Sequence, residues 1–395
     1  MFFIYDMALP AVNRALFANR SQIQLFISEV LRNLSLSSRF NFKTQSLQCL
    51  KTVTSQSNAV TVHRRSQLYR RICESNGDEN SRATSNWTYA MWSAIVSSDG
   101  GNHSYMDLCK SAILSIMRGQ LHGANGFLHQ AIALAHQSHN TQAIIYTYSL
   151  MANLAYVQGE LDNAEKLFKA AMSFMLSGGT PEDDNGVIEM SLKLATIYAG
   201  QNKNDLAETG FQFCTESLEA KLEKFKELPT EEQSEELRME TRLLLGLTLD
   251  SHARYMAATH RLSRAALDYK RALLICQEEQ GETHPQSLVL LSDLATILDL
   301  QGRHDEALPL VKQAVELSRE AGHPDQHVLL GNMAGVLLHN GLFEESVNLY
   351  KEALALAQSA GDEEAVEQIR EGLKEVGNRR KAKKAETEVP KTETD

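Results

Sequence analysis

The sequence predicts an all-α solenoid of about six helix pairs with a C-terminal capping helix. Three observations carry the prediction. From about Tyr105 onward, apolar residues recur at the three- and four-residue spacing of an amphipathic helix. A small residue returns at one register position in six successive segments. Glycines punctuate the pattern between neighbouring apolar stretches. Hydrophobic residues make up 43% of the 395, enough for a packed interior.

The clearest unit runs from Leu291 to Leu317. It reads Leu291-x-x-Leu294-Ala295-x-x-Leu298, then Gly302, then Ala307-x-x-x-Val311-x-x-Ala314. A second copy has Leu330, Met333, Ala334, Leu337, Gly341, Ser346, Tyr350 and Ala353. An earlier one has Tyr148, Met151, Ala152, Ala155, Gly159, Ala164, Phe168 and Ala171. Each position has a physical role. Ala295 and Ala307 let two helices approach closely, Gly302 stops the first helix in a left-handed turn, and Leu291, Leu298 and Val311 fill the space between pairs. This is the tetratricopeptide pattern.

Three weaker segments take the same template, around Ala112, Ala195 and Ala253. The six small positions, Ala112, Ala152, Ala195, Ala253, Ala295 and Ala334, are separated by 40, 43, 58, 42 and 39 residues. Standard repeats run about 34 residues, so the helices or connections are longer here. The gap of 58 predicts an insertion near 215–243, with a helix continuing past Cys214 through Leu218, Leu222 and Phe225 until Pro229. Thr230-x-x-Gln233 resembles a capping box opening the next helix.

A last amphipathic helix, Glu363 to Val376, presents Val366, Ile369, Leu373 and Val376 on one face and is expected to cap the array. The array is thus expected over 104–377, preceded by a linker over 74–103 and followed by a disordered charged tail over 378–395.

Charge separates the first 73 residues from the rest. They hold ten Lys or Arg and two acids, a balance of +8, which leaves −19 for the remainder of a chain of net charge −11. Apolar residues at helical spacing (Leu16, Ile23, Phe26, Val30) are punctuated by Arg14, Arg20, Arg32 and Arg39. A cationic, acid-poor, amphipathic start fits a mitochondrial presequence. A disordered cytosolic leader and a secretory signal are the alternatives, and the sequons at Asn86 and Asn102 would matter only in a secreted chain. The best apolar run, Trp87 to Val96, is about half the ~18 residues a bilayer span requires, so membrane contact is expected to be peripheral or through a partner. The acidic body argues against nucleic acid.

Signatures of catalysis are missing. The sequence has no phosphate-binding glycine loop, no H-E-x-x-H and no G-x-S-x-G. The five cysteines, Cys49, Cys73, Cys109, Cys214 and Cys276, are scattered and odd in number, unlike a disulfide framework or a zinc site. His122, His129 and His136 step by seven, about 10.5 Å along a helix, too far for one ion; His136 and His139 supply only two ligands. Glu182, Asp183 and Asp184 read as a solvated loop. No catalytic, cofactor-binding or metal-binding residue is expected.

In a stacked array the first helix of each pair lines the concave face. Its outward positions are the expected peptide contacts: Tyr146, Ser149, Asn153 and Tyr156, then Asp250 and Arg254, then Ser292, Thr296 and Asp299. Asn153 and Arg254 stand apart, which argues against a Lys/Arg/Asn clamp for a terminal carboxylate. The acidic body suggests a basic or neutral partner segment.

Whole blocks of surface residues add a resemblance. Thr147–Gly179, Ile188–Asn202 and Gly281–Ala307 closely resemble the mitochondrial tetratricopeptide repeat protein 19 family, over about Leu108 to Arg379 and including the long insertion before Leu243. The resemblance implies a protein on the inner membrane or matrix side that supports assembly and maintenance of respiratory complex III (ubiquinol–cytochrome c reductase). It further implies action through the Rieske iron–sulfur subunit or that subunit's cleaved fragments, without catalytic residues. The repeat spacing and Gly281-x-x-His284-Pro285 also resemble kinesin light chains, which leaves a cytosolic cargo adaptor as the alternative.

Overall fold

The computed structural model describes residues 103–227, 234–322 and 326–388. The leader, nearly all of the linker, both sequons, Trp87–Val96, Cys49, Cys73, Pro229 and the Thr230–Gln233 box lie outside them. The described residues form thirteen α-helices and no strand. They are α1 (His103–Met117), α2 (Leu121–Gln137), α3 (Thr141–Val157), α4 (Leu161–Ser177), α5 (Asn185–Gly200), α6 (Asn204–Glu227), α7 (Glu235–Ala258), α8 (Leu262–Gln280), α9 (Pro285–Leu300), α10 (His304–Ala321), α11 (Gln326–His339), α12 (Phe343–Ala360) and α13 (Glu363–Glu388). Two compact units share them, with the boundary between Leu244 and Leu245 inside α7.

The six pair-forming turns share one construction. The chain enters the left-handed region two residues past the first helix, at Gly119, Gly159, Asn202, His260, Gly302 and Gly341 (φ from 58° to 78°). The next N–H then reaches back to a carbonyl five residues earlier: Glu160 N to Ala155 O at 2.9 Å, Lys203 N to Tyr198 O at 2.9 Å, Arg303 N to Leu298 O at 2.9 Å. This closure satisfies carbonyls that a helix end would otherwise leave bare. Four of the six positions are glycines, and Gly159, Gly302 and Gly341 are those read from the repeat pattern. At the other two, Asn and His tolerate the left-handed conformation better than most side chains.

In the first unit, α1 packs on α2, α3 on α4 and α5 on α6, and α2–α3 and α4–α5 join successive pairs. The small alanines fulfil their expected role: Ala112, Ala152 and Ala195 are at most 1% exposed. Gly210 of α6 lies against Ala195, where an added Cβ would come 2.8 Å from the alanine's own. Tyr105 ties α1 to α3, donating to Ala143 O (3.1 Å) and lying 2.9 Å from Thr147 Oγ1.

Among the described residues, helix occupies most of the long gap. At 24 residues each, α6 and α7 exceed the other first and second helices of pairs, which run 14 to 19. Leu218 and Phe225 keep the extension of α6 buried. Ser234 Oγ accepts the Leu237 N–H at 3.3 Å, which opens α7 under Glu235 and Glu236.

In the second unit α9 packs on α10, α11 on α12, and α13 on both α12 and α11. The capping helix does not end at Val376. It continues to Glu388, so much of the tail expected to be disordered from 378 is helical. The continuation has identifiable supports. Arg379 pairs with Glu375 one turn back at 2.7 Å, Arg380 reaches Glu344 of α12, and Lys383 Nζ sits 5.2 Å from the Phe343 ring centre. Gly377 keeps a negative φ and does not act as a stop.

Candidate peptide-binding face

The nine expected contacts are divided between the two units. Tyr146, Ser149, Asn153 and Tyr156 lie on α3 in the first unit. Tyr146 is buried and the other three are half-buried. Ser149 and Asn153 turn back on their own helix, Ser149 Oγ to Ile145 O at 2.9 Å and Asn153 Nδ2 to Ser149 O at 2.9 Å. Tyr156 packs on the cluster of Ala152, Ala155, Ala164 and Phe168.

The other five lie in the second unit, where three of them make contacts between helices. Arg254 of α7 grips Asp250 one turn back through both Nε and a terminal nitrogen, and Gln286 of α9 donates to the same carboxylate at 3.3 Å. Asp250 is 1% exposed. Burial works against the Arg254 cation, but Asp250 overrides it and holds the guanidinium above its ordinary range. Ser292 of α9 accepts from Asn332 of α11 at 3.0 Å, and Thr296 Oγ1 donates to Ser292 O at 2.9 Å. Asp299, nearly buried, takes His304 Nδ1 of α10 at 2.7 Å and His339 Nδ1 of α11 on its other oxygen. Asp250, Ser292 and Asp299 thus brace neighbouring helices.

The residues facing them, Gln286, Asn332, His304 and His339, were not among the expected contacts. The sequence carries a signal for two of them: Asn332 follows Ser292 by 40 residues and His339 follows Asp299 by 40, one more than the local repeat of 39. Side chains that far apart sit next to each other on successive first helices. Asp293 of α9 makes no hydrogen bond or ion pair among the described residues. Burial pushes its carboxyl up to about 7, Asp250 acts in the same direction, and Arg254 opposes both.

Elsewhere the titratable groups have structural settings. Cys109, Cys214 and Cys276 are free and buried, and burial pushes the first two thiols up to about 12, far from nucleophilic character. Among the described residues no three His, Cys, Asp or Glu side chains are arranged to hold one metal ion. His136 stacks edge-on against Tyr148 and Phe174, and His139 occupies a left-handed turn. Asp184 caps α5 by accepting the Gly186 N–H at 2.8 Å. The Gly281-x-x-His284-Pro285 motif is also a cap. Gly281 adopts φ 96°, ψ 162°, His284 Nδ1 accepts the Gln286 N–H at 3.2 Å, and Pro285 takes the first helical position. No helix among the described residues is long and apolar enough to cross a membrane.

Comparison with known proteins agrees with this architecture. Residues 247–320 and 329–364 match two family models, each described as a tetratricopeptide repeat. The solved apo form of RapI covers 89% of this chain and 80% of its own, with a TM-score of 0.52 at 12% identity, a likeness of fold alone. Human tetratricopeptide repeat protein 19, mitochondrial, is 49% identical over 222 residues, which is 56% of this chain and 58% of the human protein. The Danio rerio protein of the same name is 69% identical over 309 residues, covering 76% of this chain and 77% of the relative. The chain therefore belongs to the mitochondrial tetratricopeptide repeat protein 19 family.

Proposed function

We propose that this chain is a non-enzymatic scaffold that holds another polypeptide in mitochondria, on the matrix side of the inner membrane. There it supports assembly and maintenance of respiratory complex III through the Rieske iron–sulfur subunit or its processed fragments. The observation that carries the reading is the 69% identity with the Danio rerio relative across most of both chains. The paired helices agree with a binding role, because such arrays offer long faces to a partner segment.

The test is affinity capture of the tagged full-length protein from gently solubilised mitochondria, with a cytosolic fraction run in parallel. The reading expects enrichment of cytochrome bc1 subunits, and the leader missing from recovered peptides. Recovery from cytosol with the leader intact and without those subunits rejects it.

A further inference from the structure

Within the second unit, α7, α9 and α11 lie side by side, joined by the Asp250–Gln286, Ser292–Asn332 and Asp299–His339 contacts. Each helix is buried over most of its circumference and leaves one narrow strip accessible. The strips share a register. Six residues before the small alanines Ala253, Ala295 and Ala334 stand Leu247, Val289 and Val328. Leu247 is 40% exposed, Val328 is 44% exposed and Val289 is half-buried. An apolar row therefore crosses three helices. Four residues further along, the same strips carry Ser251, Asp293 and Asn332. Asn332 is bonded to Ser292, whereas Asp293 has no hydrogen-bond donor. The charged groups that act on it are Asp250 and Arg254 of α7, a pair that already satisfies itself, with the Tyr269 hydroxyl of α8 beside them.

We infer that this strip receives a cationic peptide segment, with apolar side chains against Leu247, Val289 and Val328 and a Lys or Arg against Asp293. The inference rests on the protein-binding reading and specifies the partner's chemistry. Charge complementarity selects the occupant: the local set of Asp250, Arg254 and Asp293 carries one more acid than base, and everything after residue 73 carries −19. A cation supplies the missing donor and restores the ionised form of a carboxyl that burial holds near neutrality. Docking then expels a proton from Asp293 and weakens as pH falls below about 7.

The test titrates the full-length protein with a short fluorescein-labelled peptide carrying leucines at helical spacing with lysines between them. The same peptide with glutamates in place of lysines is the control. The lysine peptide is expected to bind and the glutamate peptide to fail. Asp293→Asn is expected to weaken the lysine peptide about tenfold and to flatten its pH dependence. Val328→Ser, at an exposed position that the fold does not need, is expected to weaken it by a smaller factor at every pH. Equal binding of both peptides, or an unchanged affinity and pH profile in Asp293→Asn, overturns the inference. Capture of cytochrome bc1 subunits by Asp293→Asn protein separates the two claims. Undiminished capture together with undiminished peptide binding rejects the site alone. Peptide binding that depends on Asp293, without bc1 capture from wild type, rejects the complex III reading alone.

Discussion

Tyr350 of α12 fills the space that a side chain at residue 372 of α13 would need: a Cβ built on Gly372 would come 2.6 Å from Tyr350 Cζ and 2.7 Å from its hydroxyl oxygen. Tyr350 is 8% exposed and held by the core, so it has little room to retreat. Gly372→Ala is expected to loosen the capping helix and to cost about 1–3 kcal/mol. Hydrogen exchange should show the loss in α13 first, because stacked repeats transmit strain mainly to neighbours.

The left-handed turns give a second expectation, of opposite sign at two kinds of position. Gly302→Ala places a Cβ in a left-handed residue and should destabilise by about 1 kcal/mol. Asn202→Gly relieves the same cost and should be neutral or slightly stabilising. Urea denaturation of the single variants checks the pair. Equal effects at both positions would contradict the shared construction of the six turns.

Arg254 neutralises a carboxylate that is itself almost wholly buried. Arg254→Met leaves Asp250 without its cation and should cost about 3 kcal/mol. Arg254→Lys should rescue only part of that loss, since an ammonium cannot reproduce the two-point grip. The removal of both charges, Asp250→Asn with Arg254→Met, should cost less than Arg254→Met alone.

Asp293 makes stability depend on pH in the reverse of the usual carboxylate sense. Its pKa in the fold, about 7, lies above the ordinary aspartate value of 3.8. Between those values the folded protein keeps a proton that the unfolded chain has lost. Stability therefore falls as pH rises through that window and levels off above about 7. Asp293→Asn should remove this slope and gain on the order of 2 kcal/mol at pH 8, allowing for the partial exposure of the group. Thermal melts of both proteins across the window measure it.

Much of the fold was legible because the repeat imposes one register on many side chains. Once Ala295, Gly302 and Ala307 fixed the template, Ala334 and Gly341 followed, as did the pairing of α9 with α10 and α11 with α12. The turns at Asn202 and His260 were less visible, because a left-handed residue other than glycine has no distinctive spelling. The end of α13 was misplaced because its support is tertiary: Arg380 and Lys383 are held by Glu344 and Phe343, some forty residues earlier in the chain. The site was legible only in position. The template placed Asp250, Ser292 and Asp299 on the first helices, and the repeat spacing points to Asn332 and His339 as partners of the last two, but no pattern marks Gln286 as the partner of Asp250. Asp293 has no sequence signature for a related reason: one Asp among fifty acids gains meaning only when its neighbours leave it without a donor.

The most direct measurement of the central claim is ubiquinol–cytochrome c reductase activity, with the Rieske content of complex III, in mitochondria of cells depleted of this protein and resupplied with it. The account predicts that both fall on depletion and recover with the full-length chain. Unchanged activity and an unchanged Rieske complement after complete depletion would contradict it.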